Sequence, residues 1–191
     1  MKDSIKTFYP KTKQEWRKWL LENYQSEDAV WLLSYKKKSG KPGVNWSDAV
    51  DEALCFGWID GMRKSVDKES FVQFVCKRKP KSGWSKINKA KVEHLIADGL
   101  MTKAGFKSIE IAKQNGSWSF LDEIEELTVP QELTNAFEAN PDAEAFFNSL
   151  SKSVKKMMLH WVVSAKRPET KLNRVGEIVE NALKGKKPPR F

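Results

Sequence analysis

Two short stretches hold the side chains best suited to chemistry. Residues 45–61 read Asn-Trp-Ser-Asp-Ala-Val-Asp-Glu-Ala-Leu-Cys-Phe-Gly-Trp-Ile-Asp-Gly and gather two Trp, four acids, two Gly and one of the two Cys in the chain. Residues 77–91 carry seven basic side chains and no acid, with Trp84 among them. Arg78, Lys79, Lys81 and Lys86 lie at or just before a helix start, where unpaired backbone amides also favour an anion. Trp84 offers a face for stacking or for a cation. The combination suits a phosphate, carboxylate or nucleotide ligand. It equally suits a nucleic acid, whose phosphates meet Lys and Arg and whose base stacks on Trp. A solvated segment that answers acids elsewhere in the molecule explains the same charges without any ligand.

Within the first stretch, Asp60 is the candidate polar group. It stands beside Trp58, ahead of Gly61 and shortly before Arg63, where it can orient a ligand or move a proton in a cleft; the same Asp-Gly step also describes an ordinary turn. Cys55 is the candidate nucleophile. It falls late in a helix, where the macrodipole raises a thiol pKa, and no His is near it in sequence, so it reads as an inert core residue. Asp48, Asp51 and Glu52 share neighbouring helix faces with Cys55 at three- and four-residue spacings, yet acids in a first helical turn are explained by the helix end alone. The catalytic candidates are therefore Asp60 and Cys55. The ligand-binding set is Trp58 and Trp84 as walls, Arg78, Lys81 and Lys86 as the anion grip, and Asp60 as the orienting group.

Several standard chemistries find no support. There is no Gly-rich phosphate loop, dinucleotide fingerprint or nucleophile elbow. Two Cys (Cys55, Cys76) and two His (His94, His160) are too few and too scattered for a zinc site, and no cofactor is expected. Two Cys fit a reduced, cytoplasmic chain. The first residues, Met-Lys-Asp-Ser-Ile-Lys, lack the apolar core of a signal peptide, and no window approaches the ~18 apolar residues of a membrane span. The formal charge of +9 attracts anions, and 40% hydrophobic residues with eight Trp specify a folded chain.

The elements that must position these residues follow from periodicity and caps. Thr12 and Glu15 form a capping box ahead of a helix over 13–24, with Trp16, Trp19 and Leu20 inward. Residues 30–35 read as a buried strand and 36–43 as a lysine-rich loop, either solvated or gripping an anion. Ser47 caps a helix that ends at a left-handed Gly57. Strands follow at 58–61 and 70–77. Ser85 caps a helix with Ile87, Val92, Leu95 and Ile96 inside, and Thr102 another with Phe106, Ile109 and Ala112 inside. From 117 to 147 there are eight acids and no Lys or Arg. Helices follow with Pro130 and Pro141 as first residues, then from Ser151 with Met157, Met158 and Trp161 inside. The last carries Leu172, Val175, Val179 and Leu183, and its tail is frayed. The fold expected is α+β: a small antiparallel sheet of about three strands flanked by helices, then a C-terminal helical unit. Residues 1–116 form the first part, 117–129 an acidic linker and 130–191 the helical unit, packed as one globular body.

Several runs together resemble one family. They are Lys11-Thr-Lys-Gln-Glu-Trp16, Val30-Trp31, Lys36-Lys-Lys-Ser-Gly40, Glu52-Ala-Leu-Cys-Phe-Gly-Trp-Ile-Asp-Gly61, Arg78-Lys-Pro-Lys-Ser82 with Trp84-Ser85, His160-Trp161 and Ala165-Lys-Arg-Pro-Glu-Thr170. The chain resembles the YdeI/OmpD-associated family, also labelled OmdA or bacteriocin-protection proteins. The resemblance implies a role in tolerance of cationic antimicrobial peptides and a link to an outer-membrane protein; it carries no defined activity, cofactor or catalytic residue. The reading is a cytoplasmic, stress-related protein binding a small anionic ligand between segments 55–61 and 78–88. A nucleic-acid binder acting through 77–91, and an enzyme acting through Asp60 or Cys55, are the alternatives.

Overall fold

The computed structural model describes residues 5–191; Met1 to Ser4, part of the polar start read above, lie outside the described residues. It forms two compact units, one up to Trp118 and the other Ser119–Phe191. The fold is α+β.

In the first unit, strand β1 (Thr7–Phe8) is followed by helix α1 (Lys13–Asn23), strand β2 (Ala29–Tyr35), helix α2 (Trp46–Cys55), strands β3 (Trp58–Ser65) and β4 (Ser70–Lys77), and helices α3 (Lys86–Ala97) and α4 (Lys103–Gln114). The sheet has four strands in the order β1-β2-β4-β3. It is mixed rather than purely antiparallel, because β1 runs parallel to β2. Two residues have no periodicity to read, so composition alone could not announce that strand. The hairpin β3–β4 contains an irregularity between Asp60 and Arg63, and β3 runs on to Ser65, past the stretch 58–61 read as strand from sequence.

Opposed residues in an antiparallel pair share a face. Val30 and Val75, Leu32 and Gln73, and Trp58 opposite Lys77 therefore point to one side. That side is the core: Trp16 and Leu20 of α1, Val50, Ala53 and Leu54 of α2, Val92 and Leu95 of α3, and Ile109 and Ala112 of α4 are buried with Trp58 and Trp84. Thr12 caps α1 by accepting from the Glu15 amide, and the Glu15 carboxylate returns to the Lys11 amide at 2.7 Å. Ser85 and Thr102 cap α3 and α4 as their spacing requires. The cap of α2 is Asn45, not Ser47; its side chain reaches the Asp48 amide first.

The acids of α2 do more than complement a helix end. Glu52 is 2% exposed and accepts from Arg17 Nη1 at 2.7 Å, with Lys13 Nζ at 3.6 Å. Arg17 also donates to the Leu100 carbonyl at 2.9 Å, and Asp51 pairs with Lys91 at 2.6 Å. These contacts tie α1, α2, α3 and the α3–α4 turn together. Three residues expected inside, Ile87, Ile96 and Phe106, are exposed instead.

The second unit comprises α5 (Asp122–Glu125), α6 (Gln131–Glu138), α7 (Pro141–Ser149), α8 (Lys152–Val163) and α9 (Pro168–Leu183). Ile124, Leu133, Phe137, Phe147, Met158, Leu159, Val175 and Ile178 form its core. Pro130 is the residue before α6 and Pro141 the first of α7. Met157, Leu172 and Leu183 are exposed rather than inward. The tail is not frayed: Pro188 is buried, and Phe191 meets Trp161 edge-on at 5.6 Å. Among the described residues no helix is long and apolar enough to cross a membrane.

Candidate functional site

The site begins with Gly57. It follows α2 with φ +72°, a conformation that L side chains rarely adopt. A Cβ there would lie 2.9 Å from the Ala104 carbonyl oxygen and 3.2 Å from Ser108 Cβ. One turn away in space, a Cβ on Gly105 would sit 2.4 Å from the Cys55 carbonyl oxygen. That same carbonyl accepts from Thr102 Oγ1 at 2.6 Å and from the Thr102 amide at 3.1 Å. Two glycines therefore let α4 press its backbone against the α2–β3 turn. Ala104 and Ser108, four apart on one face of α4, are the residues that meet Gly57.

The basic segment is brought to the same place by strand pairing. Trp58 lies opposite Lys77, and the Arg78 amide donates to the Gly57 carbonyl at 2.9 Å. The chain then loops back. Pro80 O accepts from Ser117 Oγ at 3.1 Å and Asn115 Nδ2 at 2.8 Å, and Trp84 enters the core 5.0 Å from Trp118. The Arg78 guanidinium carbon sits 3.8 Å from the Trp84 ring centroid, and its Nη2 donates to the Gly83 carbonyl at 2.5 Å.

Between these parts lies a cavity of about 410 Å³, within the usual size range of small-molecule sites. Its apolar walls are Tyr24, Phe56, Trp58, Trp84, Ala104 and Ile111, its cations are Lys77, Arg78, Lys79 and Lys107, and among the described residues no Asp or Glu lines it. Lys77 is already occupied by Asp28 at 2.9 Å. Arg78 has no ion pair among the described residues. Burial pushes its pKa down to about 10, partly opposed by the charge of Asp60. Among the described residues six buried side-chain polar atoms lack a hydrogen-bond partner, and five belong to residues that line this cavity: Trp58 Nε1, Trp84 Nε1, Arg78 Nε and Nη1, and Ser108 Oγ; each exposes less than 1 Å², so they lie behind the lining and do not face the open space. Leaving such a group unsatisfied costs about 1–3 kcal/mol each.

Of the residues singled out from sequence, Trp58, Arg78 and Trp84 converge here. Lys81 and Lys86 are exposed and do not line the cavity. Asp60 is on the core face of β3 but outside the lining, and it accepts from Trp46 Nε1 at 3.0 Å. Cys55 is fully buried; desolvation, with the Glu52 charge second, pushes its thiol up to about 11. Such a thiol is protonated at neutral pH and is a poor nucleophile. Sequence reasoning missed Tyr24, Phe56 and the α4 side of the cavity, including Lys107 and Ser108. The one legible signal was the spacing of small residues on α4, which marks a close helix approach.

A second cavity, about 360 Å³, lies under the lysine-rich loop and is walled by Tyr35, Trp46 and Phe71 with Lys36, Lys41 and Arg63. Three of its four cations already have partners: Lys36 donates to the Lys68 carbonyl, Lys41 lies over Tyr35, and Arg63 lies over Phe71.

Fold and site together define a two-unit protein: an α+β unit built around a cation-bearing aromatic cavity, and a helical unit. The chain belongs to the family described as a domain of unknown function (DUF8412), whose model matches residues 8–108. Residues 126–185 match a second family, described as Bacteriocin-protection, YdeI or OmpD-Associated (OmdA). No curated protein and no solved structure matches the chain. The resemblance noted from sequence is thus carried by the helical unit, through His160-Trp161 and residues 165–170. The runs at 52–61 and 78–85 fall in the other match.

Proposed function

We propose that the first unit binds a small anionic ligand in the cavity between Gly57-Trp58 and residues 78–84. One observation carries this reading. Arg78 lines the cavity as a largely desolvated cation with no ion pair among the described residues. A buried charge is costly unless paired, and an anion in the cavity would supply the pair. Trp58 and Trp84 serve as walls, and the Asp60 charge helps hold Arg78 protonated. Lys81 and Lys86, outside the cavity, contribute long-range attraction only. The test is an amide and indole NMR titration with phenyl phosphate. Shifts confined to Gly57, Arg78, Trp84 and α4 support the reading, and an unchanged spectrum at millimolar ligand refutes it. The setting we favour is the cytoplasm, with peptide tolerance as the biological context suggested by the description of the OmdA family.

A second reading rests on a different observation. The residues up to 118 hold 23 Lys and Arg against 14 Asp and Glu, whereas residues 119–191 hold 11 of each. All the net positive charge therefore belongs to the first unit, as a nucleic-acid surface would require. Filter binding against salt separates the two: no affinity at low salt removes this reading, and a steep salt slope supports it.

A further inference from the structure

We infer that the second cavity, under the lysine-rich loop, is a contact site for single-stranded nucleic acid, with Trp46 as the surface on which a base stacks. The inference rests on the second reading above and gives it a place other than residues 77–91.

Trp46 is the first observation. Of the eight Trp in the chain it alone is exposed, at 50%. A single exposed apolar residue is ordinary on a protein surface, but this ring is held. Its Nε1 donates to Asp60 Oδ2 at 3.0 Å, a bond from the first residue of α2 to β3. The bond orients the ring while half of it stays in water. A stacking base would meet a ring with little freedom left to lose.

Charge is the second observation. Lys36, Lys37, Lys41 and Arg63 line the cavity with Trp46, and among the described residues no Asp or Glu does. Their partners hold these cations without neutralising them. Arg63 is exposed and lies 3.8 Å over the Phe71 ring, and Lys41 lies 4.2 Å over Tyr35. Their one ion pair among the described residues is Lys41 with Glu69, at 3.9 Å. A guanidinium stacked on a ring can still offer its N–H edge to a phosphate.

The loop carrying the lysines is anchored. Tyr9 Oη donates to the Pro42 carbonyl, the Val44 amide to the Pro10 carbonyl at 3.3 Å, and the Lys36 amide to the Glu69 carbonyl at 2.8 Å. Cations along a fixed loop beside a stacking ring suit a phosphate backbone whose bases are splayed out. A small inorganic anion would engage the cations and leave Trp46 idle, and a duplex would hide its base faces.

The experiment is fluorescence anisotropy of the full chain with labelled oligo(dT) and oligo(U) of about 12 nucleotides, and with a duplex of the same length, from low to rising salt. Trp46→Ala should weaken single-strand binding at least about fivefold, the low end for one stacked base, and Trp46→Phe should retain most of it. Arg63→Gln with Lys37→Gln should flatten the salt slope by about 0.7 per cation removed. The tighter of the two single strands names the sugar. A duplex bound as tightly as a single strand overturns the inference. So does full affinity in Trp46→Ala with loss in Lys81→Gln/Lys86→Gln, which leaves the nucleic-acid reading standing at 77–91. No affinity for any strand at low salt removes the inference and that reading together.

Discussion

The Arg78 guanidinium lies over Trp84, 3.8 Å from guanidinium carbon to ring centroid, and among the described residues only Nη2 finds an acceptor, the Gly83 carbonyl. The stacking partner and the desolvation come from the same residue. Trp84 is 1% exposed, so it removes water from one face of a cation that has no ion pair among the described residues and only the more distant charge of Asp60 in return. A cation–π contact returns about 2 kcal/mol when desolvated, less than the several kcal/mol that burying an ion costs. The free protein therefore holds Arg78 at a loss, which a bound anion would recover.

Trp84 itself separates packing from recognition. Trp84→Ala removes a fully buried ring and is expected to cost about 3–5 kcal/mol in denaturant unfolding. Trp84→Phe keeps a ring under Arg78 and deletes an unsatisfied Nε1–H, so its stability should fall by less than about 1.5 kcal/mol. Its affinity for phenyl phosphate should hold, because the buried Nε1 lies out of a ligand's reach. A Phe variant as unstable as the Ala variant would show that the indole fills space no smaller ring can share.

Gly57 tests the seating of α4. Gly57→Ala combines left-handed strain, about 1–2 kcal/mol, with a Cβ 2.9 Å from backbone that cannot yield cheaply. A loss clearly above 2 kcal/mol and disturbed α4 amides are expected. Gly40 also has positive φ, but nothing lies within 4 Å of its Cβ position, so Gly40→Ala should show the strain alone. Equal losses at both sites would mean that α4 does not press on the turn.

The ion network around Glu52 has a stability signature. Glu52→Gln leaves Arg17 and Lys13 facing a neutral amide beneath 2% exposure; about 2–4 kcal/mol is expected, below the figure for a fully buried pair because Arg17 keeps some solvent. Adding Arg17→Met should recover part of it. An additive double mutant would deny that the two side chains are coupled.

Cys55 offers a pH test. Its thiol is raised to about 11 from 9.0 in the ordinary state, so the native fold favours the protonated form. That preference is fully present below pH 9 and is lost as pH rises toward 11. Wild type should lose more stability than Cys55→Ala between pH 9 and 11, and the native thiol should resist alkylation at pH 8. Rapid native-state labelling of Cys55 would overturn its assignment as buried and protonated.

What could be read from sequence was local. Thr12, Ser85, Thr102 and Ser151 cap their helices because a hydroxyl three residues before an amide is a short-range relation. Gly57 announced its positive φ for the same reason. Faces were harder. Ile87 and Phe106 sit in their helices' first turns, at registers where the apolar stripe has not yet met the core. The site needed tertiary information. Arg78, Lys81 and Lys86 are alike in type and spacing, and only the pairing of Trp58 with Lys77 decides which of them turns inward. Lys107 and Ser108 arrive from a helix fifty residues beyond Gly57, so no local pattern joins them to it.

The most direct measurement is Arg78→Met, with thermal unfolding of the ligand-free protein and phenyl phosphate titration made on the same sample. Removing an unpaired buried cation while keeping its volume is expected to leave the melting temperature unchanged or raised, and to reduce ligand affinity at least about tenfold, the scale of one charge-assisted hydrogen bond. A melting temperature several degrees lower with affinity intact would contradict the account, making Arg78 a structural residue and the cavity something other than an anion site.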